Sequence, residues 1–526
     1  MKRILAACLC ILLLGCVTPA QSEQPQQTAA PAAAETATTA PATTPEPKRF
    51  PVTEAIAPLP ETPEAVDLGN RLLIYESDGM SWLYLHGQSI PLCAGSVPAG
   101  AYGCRTAGDR FFFSDPNKGT LCMLDLCDPT APVQTVAPDV IKGIKRFMIS
   151  EDGETILYET PESEECDVLY LYRNGEAKRI AESAGRIDQF YLSPDGKSLI
   201  FYMDETDIDN DRPYSDYLIM DGGEPLLLDN ELEWIGEDLR TALLWNTSGR
   251  KLTLLRAGSE PTVLSDSCRW VEDIAPNGAC WWTDSTPSET LWYFDGTETT
   301  RIGDHMDAPR VRLSGAYAYF CNDVFWAKYQ NGEPVRLCLR DEFAGGGFYD
   351  EHTLVYSTSR NKDDPKAFAH RNAYAVTVDE TGVSEPVTIA ENYYELVRLC
   401  DGWLIVRSED MSLCDLCFGD HLLGTDVRFW SDTRFAVDAA HENLFFISDG
   451  RLYHFDGRTL RAILETDPAL DEFPFCYLSD GTLTYRDGDV LYYYDGTAFR
   501  RILEHADDCR FTATRSEIVA ERQLHD

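Results

Sequence analysis

Three aspartates at alternate positions, Asp207, Asp209 and Asp211, have side chains that could bind a hard cation. Carboxylate oxygens are ligands that Ca²⁺ prefers, and the same spacing opens the twelve-residue calcium-binding loops of proteins. The rest of such a loop is missing, because Arg212 stands where a glycine is needed and Leu218 where a glutamate is needed. Two interpretations stay open: a calcium loop of another type, or an acidic surface loop without a cofactor.

Cys414 and Cys417 have the spacing of a redox pair or of half a zinc site. They fall in a segment with strand character, where a separation of three places the side chains on opposite faces. No second pair of this kind accompanies them, so the sequence does not predict zinc. Most of the 17 cysteines are scattered singly. We therefore expect buried free thiols, with some disulfides as the alternative.

The sequence contains no local catalytic motif. It has no nucleophile elbow, no metalloprotease helix motif and no phosphate-binding glycine loop, and its nine histidines are dispersed. A catalytic site assembled from distant segments would leave no such motif, so an enzyme remains an alternative. Adjacent aromatic residues could form a carbohydrate platform, but we expect them to be packing residues instead. These are Trp281-Trp282, Tyr393-Tyr394 and Tyr492 to Tyr494.

The first 16 residues read as a targeting segment. Lys2 and Arg3 precede an apolar run, residues 4–14, which is too short to span a bilayer as a mature helix. The run ends in Leu13-Leu14-Gly15-Cys16, which resembles the lipobox of bacterial lipoproteins. The resemblance implies that the signal is cut before Cys16 and that this cysteine is lipidated. An ordinary secretory signal or an uncleaved anchor is the alternative.

Residues 17–66 are predicted to be a disordered tether. The segment is rich in Ala, Thr, Pro, Gln and Glu and has almost no large apolar residue before Phe50. Such a composition buries too little surface to fold, and its prolines favour extended chain. From residue 67 to residue 526 the composition changes to aromatic and β-branched residues with Asp-Gly turns.

A two-strand pattern repeats throughout residues 67–526. Residues 489–503, DVLYYYDGTAFRRIL, read as two strands around an Asp-Gly turn, and the same pattern occurs 39 residues earlier. Eleven such units follow one another at a spacing of about 41 residues, the size of a four-stranded propeller blade. The sequence therefore predicts an all-β protein built as a β-propeller.

A second motif gives the repeat a family resemblance. Residues 193–197, SPDGK, followed by Leu199 and Phe201, resemble the signature of TolB-type, WD40-like propeller repeats. Residues 150–153, SEDG, match it closely as well. The resemblance implies a propeller whose common use is binding rather than catalysis. It assigns no binding residue in this chain.

The two ends of the repeat region predict how the ring closes. Residues 71–76 correspond to the second strand of a unit, and residues 509–514 to a first strand, so one blade would be shared by both termini. Propellers typically have four to eight blades. We therefore expect the eleven units to form two rings, with a junction near residues 340–370. One ring of seven or eight blades with irregular units is the alternative.

The net charge of −42 limits the partners of this protein. It argues against nucleic acid, which needs a basic surface, and against anionic lipid, so the lipid anchor should be the only membrane contact. We expect a non-catalytic binding or scaffolding module on the extracytoplasmic face of the cell membrane, with a protein or carbohydrate ligand. A carbohydrate-active enzyme and an assembly factor for envelope complexes are the alternatives.

Overall fold

The computed structural model describes residues 48–512 with short gaps. The gaps are residues 70, 98–102, 164–165, 184–186, 204–214, 229–230, 247, 285–288, 331, 360–370, 409–412, 429–434, 439, 467–474, 478–480 and 505–507. All regular structure in the described residues is β-strand. Two short strands, β1 (Lys48–Arg49) and β2 (Val52–Glu54), come first and are followed by eleven sheets.

Each sheet is an antiparallel meander of consecutive strands, except that sheet 1 takes one strand from the end of the chain. Sheet 1 contains β3 (Leu72–Ser77), β4 (Met80–Leu85), β5 (Gln88–Ala94) and the last strand of the chain, β47 (Asp508–Thr512). Sheet 2 contains β6 (Cys104–Ala107), β7 (Arg110–Asp115), β8 (Thr120–Asp125) and β9 (Gln134–Thr135). Sheet 3 contains β10 (Arg146–Ile149), β11 (Thr155–Ser163), β12 (Cys166–Arg173) and β13 (Glu176–Ser183). Sheet 4 contains β14 (Ile187–Leu192), β15 (Leu199–Met203), β16 (Ser215–Ile219) and β17 (Leu226–Leu227).

The next three sheets follow the same order. Sheet 5 contains β18 (Leu232–Ile235), β19 (Thr241–Asn246), β20 (Lys251–Arg256) and β21 (Thr262–Ser265). Sheet 6 contains β22 (Cys268–Ile274), β23 (Cys280–Asp284), β24 (Thr290–Phe294) and β25 (Thr299–Gly303). Sheet 7 contains β26 (Asp307–Val311), β27 (Ala316–Cys321), β28 (Val324–Tyr329) and β29 (Val335–Leu339).

The last four sheets complete the series. Sheet 8 contains β30 (Phe343–Phe348), β31 (Thr353–Ser359), β32 (Arg371–Asp379), β33 (Gly382–Val383) and β34 (Val387–Tyr393). Sheet 9 contains β35 (Glu395–Leu399), β36 (Gly402–Arg407), β37 (Leu413–Phe418) and β38 (His421–Arg428). Sheet 10 contains β39 (Phe435–Val437), β40 (Leu444–Ser448), β41 (Arg451–Phe455) and β42 (Leu460–Glu465). Sheet 11 contains β43 (Phe475–Tyr477), β44 (Leu483–Asp487), β45 (Val490–Tyr494) and β46 (Phe499–Leu503).

The SPDGK segment forms the turn between the first two strands of sheet 4. The Ser193 hydroxyl donates to an Asp195 carboxylate oxygen at 2.7 Å and accepts the backbone N–H of Ser198 at 2.9 Å. Gly196 has φ +70°, and a Cβ there would lie 2.7 Å from Thr155 of sheet 3. The motif therefore fixes the turn and lets adjacent sheets approach closely.

Eleven clusters of buried apolar side chains join the sheets into one ring. Each cluster lies between consecutive sheets, from the cluster between sheets 1 and 2 to the one between sheets 10 and 11. The eleventh joins Leu73 and Tyr75 of sheet 1 to Leu491 and Tyr493 of sheet 11. Tyr494, the next residue, packs on the other side against sheet 10. Both faces of the strands are buried, as blades between neighbouring blades require.

Ring closure by the two termini is confirmed. Strand β47 pairs antiparallel with β3, with Thr512 opposite Leu72 and Asp508 opposite Glu76. Residues 513 and 514 of the expected strand lie outside the described residues. The pairing removes the exposed edge that the first sheet would otherwise present.

The β-propeller and its eleven four-stranded units are confirmed, but the expected division into two rings is wrong, and so is the alternative ring of seven or eight blades. The described part of the expected junction near residues 340–370 belongs to sheet 8 as β30 and β31, and Phe348 and Leu354 pack in one cluster with Phe325 of sheet 7. Residues 360–370 lie outside the described residues. The typical blade number of propellers misled the expectation. Each interface needs only two complementary apolar faces, so the sequence pattern sets no upper limit on the number of blades.

The predicted tether differs from the structure at its C-terminal end. Residues 17–47 lie outside the described residues, but residues 48–66, which we call the strap, lie along the outside of the ring. Strands β1 and β2 pair in parallel with the fourth strands of sheets 9 and 10, and the backbone N–H of Glu64 donates to Arg501 of sheet 11 at 2.8 Å. Within the described part of the chain there is no helix that could cross a membrane.

Candidate functional site

The first strand of sheets 2 to 11 lines the inside of the ring, and in sheet 1 β47 takes this position. First strands of neighbouring sheets contact one another, as β22 contacts β26 and β26 contacts β30. The fourth strands of sheets 9 and 10 instead lie on the outside, beneath the strap. Propeller blades surround a central channel. Side chains on the first strands therefore decide what the channel wall can bind.

Three consecutive glycines, Gly345 to Gly347, leave the middle of the inner strand of sheet 8 without side chains. A Cβ built at Gly345 would meet no atom within 4 Å, and one at Gly347 would meet only Arg310 Cδ at 4.0 Å. A Cβ at Gly346 would instead lie 2.8 Å from the backbone of Tyr356, so this position excludes any side chain. Glycines inside a strand often mark a place where a ligand or another backbone comes close.

Two arginines of sheet 7 reach the edge of this glycine strand. Arg310 Nε donates to the carbonyl oxygen of Gly346 at 3.3 Å, and Arg312 Nη2 donates to that of Phe348 at 2.6 Å. The inner strand is the edge of its sheet, so its outward carbonyls need partners other than a strand. Both arginines remain partly exposed, which keeps positive charge on the channel wall.

Two carboxylates of sheet 6 face these arginines. Asp273 sits at a register shift in β22 with φ +40°, and its carboxylate accepts the backbone N–H of Leu313 at 2.8 Å. It also lies 3.9 Å from Arg312. Such a bulge re-aims a side chain, here across the gap to sheet 7.

The side chain of Glu272 is partly exposed, and its carboxyl group makes no hydrogen bond among the described residues. Burial raises the pKa of Glu272, and the attraction of Arg310 opposes that rise. Burial also raises the pKa of Asp273, against the effect of Arg312. A carboxyl group that is desolvated yet reachable from the channel is typical of functional sites.

We call Glu272, Arg310 and Gly345 to Gly347 the inner-wall patch. It combines a carboxyl group, a guanidinium group and bare backbone, so it can hydrogen-bond a polar ligand through both donors and acceptors. The patch draws on three consecutive sheets. Its glycine run is visible in the sequence as FAGGGF and could have been noticed. Its charged members could not be brought together from sequence spacing.

Aromatic side chains lie at one end of the same wall. Tyr349, 42% exposed, follows the glycine strand and meets Trp403 of sheet 9 edge to face at 5.2 Å. The Arg398 guanidinium lies 5.3 Å from the Trp403 ring and 6.0 Å from the Tyr349 ring. Trp270, which is 53% exposed, lies near the beginning of the inner strand of sheet 6 and therefore towards the other end of the wall. Exposed aromatic rings beside polar groups are typical of surfaces that bind proteins or sugars.

None of the residues singled out in the sequence belongs to the inner-wall patch as the structure describes it. Asp207, Asp209 and Asp211 fall in the connection between β15 and β16 and lie outside the described residues, as does Cys16. The adjacent aromatic pairs are packing residues, as expected: Trp281 and Trp282 are 2% and 1% exposed. Tyr393 and Tyr492 to Tyr494 are also buried, whereas Tyr394 is partly exposed.

Cys414 and Cys417 lie on opposite faces of sheet 9, as the strand interpretation predicted. Cys414 packs in the cluster with sheet 10 and Cys417 in the cluster with sheet 8. Both are buried and outside any disulfide. Burial raises the pKa of Cys414 to about 12, so this thiol stays protonated and inert.

A third group of polar residues projects from sheet 3. The ligand atoms of Glu162, Cys166 and Glu182 lie within 4.8 Å of one another. Arg179, however, pairs with Glu162 at 3.2 Å and also with Glu182. The carboxylates already have a cationic partner, so the group does not point to a metal.

Comparison with known proteins gives only distant structural likeness. No protein-family model and no curated protein matches the sequence. An acylaminoacyl peptidase from Pyrococcus horikoshii matches with a TM-score of 0.24 and 14% identity, over 58% of this chain and 56% of that chain. An acylaminoacyl peptidase in complex with Z-Gly-Gly-Phe-chloromethyl ketone gives the same TM-score and identity over 59% and 58%. The tricorn protease matches with a TM-score of 0.20 and 12% identity, over 75% of this chain and 48% of that chain.

Proposed function

We propose that this chain is an exported, lipid-anchored β-propeller that serves as a non-catalytic binding or scaffolding module at the bacterial cell surface. The observation that carries the binding role is the inner-wall patch, where Gly345 and Gly347 keep backbone accessible between charged side chains of neighbouring sheets. The lipobox-like segment before Cys16 supports the anchor. The ligand is a protein or a carbohydrate, because the net charge of −42 disfavours nucleic acid.

Filling the patch tests this proposal. Gly347→Leu adds a side chain where a Cβ would meet no atom closer than 4.0 Å, so the fold should be retained. Thr262→Leu adds the same side chain to an exposed position on the outer strand of sheet 5 and is the matched control. Each protein, without its lipid anchor, is immobilised and exposed to a native envelope extract, and the retained molecules are identified and quantified.

We expect wild type and Thr262→Leu to retain the same ligand, and Gly347→Leu to lose it. Thermal melting of the three proteins checks that the loss is not caused by unfolding. Equal retention by all three would show that the patch is not the binding surface. Recovery of a whole envelope complex would favour the assembly-factor alternative over a single-ligand module.

An enzyme remains the second candidate, and the carboxyl groups of the wall favour it. Burial raises the pKa of Glu272 and also that of Glu395 on the inner strand of sheet 9, where Arg371 opposes the rise. A raised carboxyl pKa is the property that a general acid needs near neutral pH, and exposed Trp270 offers a surface on which sugars could stack. Hydrolysis of an oligosaccharide by wild type that Glu272→Gln abolishes would establish this alternative.

A further inference from the structure

The strap pairs with the outer edges of sheets 9 and 10 in a fixed register. Lys48 lies opposite His421, and Val52 lies opposite Leu460, both in parallel strand pairs. The backbone N–H of Phe50 donates to the carbonyl oxygen of Leu422 at 2.8 Å. Main-chain hydrogen bonds of this kind are how exposed sheet edges bind extended peptides.

The charges of the strap match those of the edges that it crosses. Its basic residues lie on sheet 9, close to Asp415. Burial and the negative charge of Asp426 raise the pKa of Asp415, and the positive charges of Arg407 and of Arg49 in the strap oppose that rise. Glu54 pairs with Arg451 of sheet 10 at 2.9 Å. A basic segment therefore meets acidic residues, and the following carboxylate meets an arginine.

The same alternation continues to sheet 11. Glu64 pairs with Arg500 at 3.4 Å, and the carbonyl oxygen of Glu61 accepts a hydrogen bond from Arg501. The strap thus has one preferred position along three consecutive sheets, because sliding it would separate its charges from their partners.

Apolar side chains of the strap fill the gaps between the sheets. The Phe50 ring meets Phe455 edge to face at 5.1 Å and packs in the cluster between sheets 9 and 10, together with Ile56. Leu59 packs in the cluster between sheets 10 and 11. Pockets for alternate side chains give specificity to peptides bound at sheet edges.

The strap nevertheless lies on the surface. Val52 is 45% exposed, and Thr53 and Glu54 are exposed as well. Only two short strands hold it in a ladder, β1 and β2. The side chains with which it packs, Phe50, Ile56 and Leu59, are only partly buried. Segments without fully buried side chains open at lower cost than the core of a fold.

The edges beneath the strap lack a feature that four other sheets have, although sheets 3 and 6 lack it as well. In sheets 4, 5, 7 and 8 a Glu-Pro pair stands directly before the outer strand, and a proline there cannot donate a backbone hydrogen bond to a further strand. The prolines are Pro225, Pro261, Pro334 and Pro386. The outer strands of sheets 9, 10 and 11 contain no proline and follow none directly. These three edges can therefore accept a strand whenever the strap leaves.

We propose that the outer edges of sheets 9 to 11 form a binding site for an extended peptide, with the strap as its resident occupant. The occupant that replaces the strap is an extended segment of a partner protein with the same order of side chains. That order is the one of Lys48-Arg49, Phe50, Glu54 and Ile56 in the strap. It consists of a basic pair, an aromatic residue directly after it, a carboxylate four residues later and an aliphatic residue two residues after the carboxylate. The site is separate from the inner-wall patch, so either can fail without the other.

A labelled synthetic peptide of residues 46–66 tests the site by fluorescence anisotropy. The full-length variant Arg49→Glu, Phe50→Ala, Glu54→Ala has a weakened strap, whereas the wild-type strap competes at a high effective concentration. We expect the peptide to bind the variant at least about tenfold more tightly than wild type. A peptide of scrambled sequence should bind neither protein. Equal binding of the native peptide to both proteins, or to neither, would overturn the proposal.

A charge exchange identifies the edge that is used. Adding Arg451→Glu to the variant should remove peptide binding, and a peptide with Glu54→Arg should restore it. If Arg451→Glu leaves peptide binding unchanged, the proposed register of the peptide on sheet 10 is wrong. If the triple variant fails to fold, Phe50→Ala alone replaces it. Phe50→Ala could instead form concentration-dependent dimers that the peptide dissociates. The occupant would then be the strap of a second copy and not a segment of a foreign partner.

Discussion

The buried imidazole of His454 should make this propeller lose stability at mildly acidic pH. His454 is 4% exposed in sheet 10, and its ring stacks on Phe445 with 4.6 Å between the centroids. Its Nε2 lies 2.9 Å from Asn443 Oδ1, and its Nδ1 lies 3.3 Å from the Tyr494 hydroxyl. Burial, helped by the positive charge of Arg461, lowers the pKa of His454 to about 4 from 6.5.

The sign and the size of the effect follow from that pKa. Below pH 6.5 the unfolded chain binds a proton at this position that the folded chain refuses, so stability falls as the pH falls towards 4. One pKa unit corresponds to about 1.4 kcal/mol, so the full loss is about 3 kcal/mol. Between pH 7 and pH 5 the loss is about 1.8 kcal/mol. If the ring melts as one unit, this lowers Tm by about 2 °C.

The assay compares the pH dependence of Tm in wild type and in His454→Phe. Phenylalanine keeps the ring stacking but cannot titrate, and the two hydrogen bonds that it loses cost the same at both pH values. His305→Gln, at an exposed position, is the matched control and should behave like wild type. An equal fall of Tm between pH 7 and pH 5 in wild type and His454→Phe would refute the role of His454.

Three further predictions concern the anchor, the acidic loop and ring closure. Cys16→Ser should abolish labelling by a fatty-acid probe, and undiminished labelling would contradict the lipobox. If Asp207, Asp209 and Asp211 bind Ca²⁺, a chelator should lower the Tm of wild type but not of Asp209→Ala, because an ion bound only to the folded state stabilises it; no effect on wild type would leave the acidic-loop interpretation. Truncation after Glu504 removes β47 and should cause aggregation or a large loss of Tm. A chain that starts at residue 48 should melt like the parent. A C-terminal truncation that is monomeric in gel filtration and has the parental Tm would contradict closure.

Local pattern alone determined the blades of this protein. Aromatic and β-branched runs such as residues 490–494, with Asp-Gly turns between them, predicted strands, hairpins and the number of units. These runs show no alternation of apolar and polar residues, which agrees with the burial of both faces: Tyr493 and Tyr494 pack against different neighbours. The strand character of the two ends predicted closure by β47. Strands and turns depend on neighbours within one unit, which the sequence displays directly, and closure followed from the order of strands at the two ends.

Tertiary structure alone decided the ring, the strap and the inner-wall patch. The number of blades in one ring depends on the angle between packed sheets, which no single repeat encodes. The strap has the composition of a tether, and its order comes from edges more than 350 residues away, such as that of Leu422. Glu272, Arg310 and Gly347 meet because consecutive inner strands converge on one channel wall, and no sequence spacing reports that convergence. Contacts between blades join residues that are far apart in the sequence, so local strand propensity does not predict them.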